Sequence, residues 1–267
     1  MEENRVSIII PTYNNQDTIA ICLQSIQDQS YDNIEVIVVD GGSSDSTADI
    51  SEQYNVTLLE TSLGRSAARV RGAEVSSGEY LFHIDSDMEL TPDVVKECVR
   101  EMNRYDALIV PERNVGESYW AQCTDVGKYL SRTNQIGNLR FLQRQLYFEI
   151  GGHNSNLIAK EDEELHELVR RRGTNIGHTT NLIRHHLGKD GLLDILSRRW
   201  SYIRSLSTFK DDSRVSEFSK NRNAGKSTCR PIYDQLQERP KLVFGYLLMS
   251  LCTAALSQFH RALPSSG

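Results

Sequence analysis

Two aspartates separated by one residue, Asp85 and Asp87, combine a residue type and a spacing that predict chemistry. They follow the apolar run 80–84, which predicts a buried strand. In an extended segment, side chains two residues apart point to the same side, so both carboxylates can face one cation or one ribose. Mg²⁺ and Mn²⁺ accept such sparse carboxylate ligands and complete their shell with water and a substrate diphosphate. An acidic turn that caps the following helix is the alternative.

A second group of acids, residues 161–164 (EDEE), stands where a loop is predicted to become a helix with Leu165, Leu168 and Val169 on its apolar side. The partial positive charge of a helix N-terminus favours an ionised carboxylate, which a general base requires. Acids in a first turn are also ordinary at helix starts. The pattern by itself leaves both interpretations open.

Cationic and aromatic side chains near the end of the sequence could contact phosphate or an acceptor. Arg198, Arg199 and Tyr202 are candidates, because arginine presents a bidentate fork to phosphate oxygens. His185 and His186 follow a short apolar stretch, and they are either a surface pair or part of a site. Only one of two adjacent side chains on a strand is expected to face the site.

The elements that must position these groups alternate between strand and helix. Runs of β-branched and other apolar residues predict strands at 6–10, 34–39, 56–59 and 80–84. Helical patterns lie between them, and they begin at Asp17 or Thr18, at Asp45 or Ser46, and at Ser66. This order predicts an α/β fold with a mostly parallel sheet.

In open sheets of this kind, ligands bind beyond the carboxyl ends of the strands. Residues 11–13, Asp40 and Asp85 each stand at such an end. A dinucleotide fingerprint (G-x-G-x-x-G) does not follow the first strand, and no Walker A lysine motif occurs. The nucleotide site predicted here is therefore of another kind.

Composition limits the class of protein. With 267 residues, 39% hydrophobic and 25% charged, the chain is long enough for one large α/β domain with an appendage. The five cysteines form no C-x-x-C pair, and the N-terminal apolar stretch is shorter than that of a signal peptide. We therefore expect a cytoplasmic protein, without nucleic acid as a partner.

Charge and hydropathy suggest two different surfaces. Residues 1–166 are acidic and residues 167–241 are basic, which indicates different partners or merely uneven solvated charge. Residues 242–256 are mostly apolar, predicting a helix that lies at a membrane interface or packs on the domain or on a second copy. Peripheral contact with the inner face of the membrane and a homodimer are both compatible with this pattern.

Five segments in order and spacing resemble the family-2 glycosyltransferases, which have the GT-A fold. They are 6–14 (VSIIIPTYN), 38–47 (VVDGGSSDST), 64–72 (GRSAARVRG), 82–87 (FHIDSD), and a diglycine at 151–152 followed by 160–165 (KEDEEL). The resemblance implies a nucleotide-sugar-binding catalytic domain over 1–190 and a helical acceptor or membrane-proximal region over 191–267. It implies inverting transfer of a sugar from a nucleotide donor, usually a UDP-sugar, to a hydroxyl acceptor such as a lipid-linked glycan, with Mn²⁺ or Mg²⁺ as cofactor.

The resemblance also assigns roles. Asp162 is the implied base, which Glu161 helps to orient. The implied donor and cation contacts are Pro11, Thr12 and Tyr13 around the base, Asp40 on the uracil N–H, Arg65 and Arg71 near the nucleotide, Asp85 and Ser86 at the ribose, and Asp87, Asp85 and His185 at the metal. Among the arginines of 64–72, Arg65 and Arg71 are preferred to Arg69, because helical spacing separates their directions.

Departures from the family pattern restrict this expectation. Arg199 and Trp200 resemble the Q-x-x-R-W motif of processive synthases, but Leu196 stands where the glutamine should be. No run reaches about 18 uninterrupted apolar residues, the length of a membrane span. Single or few additions are therefore expected, with acceptor contacts from loops such as 115–129. A polyprenyl-phosphate sugar synthase and a non-catalytic nucleotide-sugar-binding protein are the alternatives.

Overall fold

The four predicted strands are present, and they alternate with helices as expected. The computed structural model describes residues 4–133, 137–157, 160–212 and 229–262. In chain order, the elements are β1 (Val6–Thr12), α1 (Ile19–Gln27), β2 (Ile34–Asp40), α2 (Thr47–Ser51), β3 (Thr57–Glu60), α3 (Arg65–Val75), β4 (Tyr80–His83), β5 (Met88–Leu90), α4 (Val94–Glu101), β6 (Ala107–Ile109), β7 (Glu112–Val115), α5 (Tyr119–Thr133), β8 (Leu139–Gln143), α6 (Arg144–Glu149), α7 (Glu161–Arg171), β9 (Ile176–His178), β10 (Ile183–His186), α8 (Leu192–Asp212), α9 (Cys229–Glu238) and α10 (Pro240–Ala262).

The central sheet has the strand order β3-β2-β1-β4-β8-β6-β9. β1 pairs in parallel with both β2 and β4, and β2 pairs in parallel with β3. β8 is antiparallel to both of its neighbours, so the sheet is mostly parallel, as predicted. The carboxyl ends of β1, β2 and β4 consequently meet at one edge, where the predicted site residues lie.

Burial on both faces explains the unbroken apolar sequence of β1. All seven residues of this strand are buried. Because successive side chains point to opposite faces, Ile8 and Ile10 join a core with α1 and α4, whereas Ile9 joins a core with Tyr147, Leu165 and neighbouring residues on the other face. A parallel strand covered on both sides needs no polar alternation.

A second, smaller sheet positions the residues that follow Asp85. Its order is β5-β10-β7, with β10 antiparallel to β5 and parallel to β7. The register sets His185 opposite Met88, next to Asp87. This pairing joins two segments that are almost a hundred residues apart in the sequence.

The loop expected over 115–129 is instead mostly helical, and that expectation is wrong. Helix α5 packs against β7, α8, α9 and α10. Gly245 on α10 lies directly against α5, because a Cβ there would lie 2.4 Å from Cys123 Sγ. The helix is therefore part of the scaffold that holds the C-terminal helices. The division of the chain at residue 190 stays a prediction.

Helix α10 is longer than the predicted apolar segment. Within the described ranges, one stretch, Pro240–His260, is long and apolar enough to cross a membrane, judged by length and composition alone. One face of the helix is buried through Val243 and Met249, whereas Phe244 and Leu251 are each 70% exposed. The helix thus has one packed face and one apolar face turned to solvent.

Candidate active site

A cavity of about 930 Å³ opens at the carboxyl edge of the central sheet. It is bordered by the ends of β1 and β4, the start of α3, β10 and the first part of α8. Ten residues that the sequence singled out line it, namely Pro11, Thr12, Tyr13, Arg65, Asp85, Ser86, Asp87, His185, His186 and Arg198. The topology therefore brings together most of the predicted donor-site and metal-site residues.

The wall formed by β1 and β2 combines an exposed aromatic ring with an ordered loop. Tyr13 is 61% exposed, and Thr12 has a buried hydroxyl without a hydrogen-bond partner. Asp40 lies behind this wall, and its carboxylate accepts hydrogen bonds from the backbone N–H groups of Gly42 (3.1 Å) and Ser43 (2.8 Å). Asp40 therefore orders the turn beside the cavity, and its contact with a uracil ring stays a prediction.

Asp87 and His185 form one side of the cavity. His185 Nε2 lies 3.0 Å from Asp87 Oδ2. Burial opposes protonation of His185, but the hydrogen bond and the charge of Asp87 outweigh it and raise the pKa of this imidazole. Asp87 Oδ1 and His185 Nδ1 are buried and have no hydrogen-bond partner.

Both histidines border the cavity, and which of the two rings would face a ligand stays a prediction. His186 Nε2 lies 2.8 Å from Glu89 Oε2, on the strand that follows Asp87. The geometry distinguishes the two imidazoles by their partners: His185 pairs with an aspartate of the predicted metal site, and His186 pairs with a glutamate outside it.

Asp85 has a different environment from Asp87. Arg69 Nη2 donates to Asp85 Oδ1 over 2.6 Å, and Arg140 Nη2 lies 3.5 Å from Oδ2. Burial alone would raise the pKa of Asp85, but the two guanidinium groups lower it strongly. In the part of the chain that the structure describes, no three His, Cys, Asp or Glu side chains are arranged to hold a metal ion. Asp85 thus faces arginines and does not join the Asp87–His185 pair.

The predicted base lies in the first turn of α7. Lys160 precedes it in the left-handed conformation, with a φ of 65°, which turns the chain into the helix. Arg69 Nη1 donates to Asp162 Oδ1 over 2.7 Å and to Glu161 Oε1 over 3.0 Å. Burial opposes ionisation of Asp162, but Arg69 outweighs it and holds the pKa well below its ordinary value. Asp162 is consequently a carboxylate at neutral pH.

Arg69 is the site residue that the sequence reasoning missed. Its side chain is fully buried, and it contacts Asp85, Glu161 and Asp162 together. Residues four apart share a helix face, so Arg65 and Arg69 point the same way, and Arg65 lies 2.7 Å from Glu161. The apolar pattern of α3, which places Arg69 on the buried side, is the signal that could have found it.

Arg71 does not reach the cavity. It lies six residues after Arg65, and its half-exposed side chain pairs with Glu74 at 3.6 Å on the outer side of α3. Arg65 and Arg69 are four residues apart and share a helix face, so helical spacing favours Arg69 over Arg71. The preference for Arg71 is therefore not supported by the geometry.

The three candidates on α8 are separated. Arg198 lines the cavity and pairs with Asp190. Arg199 turns away from it, donating from Nη1 to Thr253 Oγ1 over 2.6 Å and to the carbonyl of Met249 over 3.3 Å. The pKa of Tyr202 is raised, mainly by burial and next by the nearby charges of Glu163, Glu161 and Asp162. This phenol therefore lies near the acids of α7. Two of the three residues thus remain near the site.

The mostly parallel sheet, the polar cavity at its carboxyl edge and the separate carboxylates on α7 define a GT-A type α/β protein. Residues 7–157, more than half of the chain, match the model of glycosyl transferase family 2. The chain belongs to that family.

Known proteins agree with this assignment. EpsH of Bacillus subtilis (strain 168) is 33% identical over 134 residues, which are 48% of this chain and 37% of EpsH. The mannosyltransferase PcManGT from Pyrobaculum calidifontis, solved with GDP-Man and Mn²⁺, has a TM-score of 0.63 at 19% identity and covers 99% of this chain and 77% of its own. S. aureus TarS 1–349 with UDP-GlcNAc has a TM-score of 0.56 at 16% identity, over 96% of this chain and 91% of TarS 1–349. The matched region spans half or less of the length of the curated relatives, 37% for EpsH and 39% for YibD of Escherichia coli (strain K12).

Proposed function

We propose that this protein transfers a sugar from a nucleotide donor, a UDP-sugar, to a hydroxyl acceptor with inversion at the anomeric carbon. The observation that carries the proposal is the single guanidinium of Arg69 that joins Asp85, at the cavity wall, to Asp162 on α7. A carboxylate held ionised this close to a nucleotide-sized cavity is suited to accept the proton of an incoming alcohol.

The donor is proposed to lie along the edge of the sheet. Its base stacks beside Tyr13 and residues 11–12, and Asp40 and the turn after it border the ring. Arg65 and Ser86 line the same cavity and can contact the ribose and the diphosphate. UDP-GlcNAc and GDP-Man, the ligands of the similar solved structures, are the first donors to test.

The cavity residues fit a divalent cation at Asp87 and His185. Asp87 Oδ1 is buried without a hydrogen-bond partner, which is costly unless a ligand fills its place. Carboxylate and imidazole both suit Mn²⁺, and the diphosphate and water can supply the remaining ligands. When bound, Mn²⁺ or Mg²⁺ would neutralise the charge on the departing diphosphate. Asp85 is left out of this pair of ligands because its oxygens face Arg69 and Arg140.

The proposed step is a single displacement. Asp162 takes the proton of the acceptor hydroxyl, while the acceptor oxygen bonds to the anomeric carbon. The bond from that carbon to the diphosphate oxygen breaks, and its electron pair leaves with the nucleoside diphosphate. One displacement from the opposite face inverts the configuration. Arg69 and Glu161 hold Asp162 in place during the step.

The test of this proposal compares Asp162→Asn with Glu163→Gln, a change at a more exposed acid in the same turn. Loss of a general base lowers turnover about 10²- to 10⁴-fold. We expect such a loss for Asp162→Asn, with UDP and Mn²⁺ affinity in calorimetry close to that of the wild type, and little change for Glu163→Gln. A phosphate acceptor is already ionised and needs no base. Full turnover of Asp162→Asn on a polyprenyl phosphate would therefore favour the alternative synthase.

We also propose that α10 rests on a bilayer surface, where a lipid-linked acceptor would be presented. Residues 242–260 contain no charged side chain, and the exposed apolar positions of the helix recur at its own spacing: Phe244, Leu247, Leu248, Leu251 and Phe259. The opposite face is buried through Val243 and Met249, which favours a helix lying on the surface rather than crossing it. Lys241, in the first turn of α10, is exposed, and its cation can interact with anionic headgroups.

Co-sedimentation with vesicles of anionic and of neutral lipid tests this surface. We expect the wild-type chain to bind, anionic vesicles better than neutral ones, and Phe244→Asp with Leu251→Asp to lose most of the binding. Ile21→Asp on α1 is the matched control at another exposed apolar residue and should bind like the wild type. Absence of vesicle binding together with a dimer in analytical ultracentrifugation would assign the face to a second copy instead.

A further inference from the structure

Behind Asp162 lies a buried aromatic layer that none of the donor, metal or acceptor assignments uses. It consists of His83 on β4, Tyr147 on α6 and His153 in the loop that follows. All three side chains are buried, and the two imidazoles meet edge to face with their centroids 4.7 Å apart. His153 Nε2 lies 3.6 Å from Asp162 Oδ1, and it is a buried nitrogen without a hydrogen-bond partner.

Tyr147 fixes the position of His153. The backbone N–H of His153 donates to Tyr147 Oη over 3.1 Å, and Tyr147 Oη lies 3.2 Å from His153 Nδ1. Gly152, between them in the chain, has a φ of 55°, and a Cβ there would lie 2.6 Å from the tyrosine ring. The loop therefore follows the ring closely, and only glycine permits this approach without strain.

The contacts with Tyr147 are compatible with either tautomer of His153, and the carboxylate of Asp162 favours one of them. Tyr147 Oη already accepts the backbone N–H, and its own proton can then be donated to Nδ1. The hydrogen of the imidazole is left on Nε2, where it points toward the carboxylate of Asp162. The other tautomer would set the Nε2 lone pair against a carboxylate oxygen, which is repulsive.

The contacts of Asp162 leave one oxygen for chemistry. Arg69 and His153 both approach Oδ1. With Oδ1 held in this way, Oδ2 is the oxygen available to an acceptor hydroxyl. A carboxylate fixed at one oxygen presents the other in one orientation, which lowers the entropy cost of reaching the transition state.

We propose that His153 is a positioning residue for Asp162, donating from Nε2–H to Oδ1 and so aiming Oδ2 at the acceptor. The inference rests on the proposed function, since it gives Asp162 the role of base. The 3.6 Å separation is longer than a hydrogen bond, and catalytic contacts of this kind often shorten when substrate binds.

Charge around His153 is consistent with a neutral donor. Burial lowers the pKa of His153, while the neighbouring carboxylates oppose this effect only in part. The titratable and charged groups that face it from the elements packed around it are His83, Tyr147, Arg69, Glu161 and Asp162. A neutral imidazole at this position can orient Asp162 without exchanging a proton with it.

The experiment measures kcat, KM for donor and the pH dependence of kcat for three variants. Loss of a hydrogen bond to a charged group should lower kcat of His153→Phe about 10- to 100-fold with donor KM nearly unchanged. Because His153 lowers the pKa of Asp162, its loss should also move the acid limb of the kcat profile to higher pH. His153→Gln, which can keep an N–H near the Nε2 position, should restore part of the rate.

His83→Phe is the matched control, because this side chain lies in the same buried layer but is not in contact with Asp162. We expect it to keep the wild-type acid limb, whatever it costs in thermal stability. If His153→Phe does not fold, Tyr147→Phe tests the same idea: it removes the hydroxyl that contacts His153 Nδ1, and should lower kcat about 3- to 10-fold.

An unchanged kcat and acid limb in His153→Phe, or equal losses in His153→Phe and His83→Phe, would overturn the inference. The Asp162→Asn result separates this failure from that of the proposed function. If Asp162→Asn is inactive while His153→Phe is unimpaired, only the role of His153 is wrong. If Asp162→Asn is fully active, the assignment of the base itself is wrong.

Discussion

Asp85 and Asp87 stand two residues apart, yet they belong to regions with opposite properties. Asp85 faces the arginine layer, which we define as Arg69 and Arg140 with the carboxylates of Glu112, Glu161 and Asp162 around them. Asp87 faces a single imidazole, and one of its oxygens has no hydrogen-bond partner. Two aspartates that both border the cavity and are both partly exposed thus differ in how much of their hydrogen-bonding capacity the fold itself uses.

The difference in pairing distinguishes Asp85, whose oxygens contact arginines, from Asp87, which has an unused oxygen. A buried carboxylate held by two guanidinium groups is stable only while those partners remain, because an unpaired buried charge is costly. A carboxylate with an unused oxygen has free capacity for a cation. The arginine layer therefore pairs Asp85 within the fold, whereas the Asp87–His185 pair keeps the unused oxygen that the proposed cation site requires.

The largest effect is expected from Arg69→Met, with Arg71→Met as the matched control on the same helix. Removal of Arg69 leaves Asp85, Glu161 and Asp162 close together without their shared cation, and breaking such a buried network costs about 3–5 kcal/mol. Arg71 has one exposed ion pair, so its loss should change stability by no more than about 0.5 kcal/mol. Urea unfolding measures both, and similar losses would contradict the distinction between the two arginines.

A second effect follows from the pH dependence of the arginine layer. Burial alone would raise the pKa of Glu112, but Arg140 and Lys128 lower it to about 2. Since a free glutamate titrates near pH 4.5, the stabilisation is complete above that pH and is lost as the pH falls toward 2.

Comparison of Glu112→Gln with the wild type at several pH values tests this. The variant should be less stable by roughly 3 kcal/mol at pH 7, and the gap should narrow steadily below pH 4.5. If the difference in the free energy of unfolding stays constant down to pH 2.5, ionisation of Glu112 does not stabilise the fold. Urea unfolding at each pH, followed by circular dichroism, gives the free energy of unfolding of both proteins.

The smallest expected effect concerns cation binding. Asp87→Asn should weaken Mn²⁺ binding in the presence of UDP about 10- to 100-fold, because it removes the charge of one of two protein ligands. Asp85→Asn should leave Mn²⁺ affinity within a few-fold and mainly lower stability, because its carboxylate pairs with arginines. Calorimetry with UDP and Mn²⁺ measures the Mn²⁺ affinity of both variants. The reverse ranking would place the cation at Asp85.

Periodicity was sufficient to predict β1 to β4 and the helices between them, whereas β5, which also lies within the first ninety residues, was not predicted. The strand predicted at 34–39 ends one residue later, and the helix predicted at 66–75 begins one residue earlier. Such patterns succeed because a parallel sheet buried on both faces requires continuous apolar strands. They failed for 115–129, where α5 begins at Tyr119 and packs on α10, a tertiary contact that no local pattern contains.

Within the site, the sequence indicated candidate carboxylates and histidines but not their partners. The distance between His185 and Asp87 depends on the pairing of β10 with β5, which no local pattern contains. His153 and Tyr147 have no motif of their own, and they meet Asp162 only because a tight loop folds back on α6.

The amino-acid sequence alone was sufficient to predict the alternation of strands and helices, the sheet edge where the candidate site residues lie, and the two acidic segments of that site. Hydrophobic periodicity and residue chemistry are local, so they can be read along the chain. Two features depend on the tertiary structure. Arg69, and not Arg71, contacts the carboxylates of Asp85, Glu161 and Asp162. Asp85 is paired with arginines, whereas Asp87 has an oxygen without a hydrogen-bond partner. Both features depend on which charged groups lie within about 4 Å of each other in a low-dielectric interior. At such distances, a shift of a few ångströms changes whether a carboxylate is paired with a cation of the protein itself.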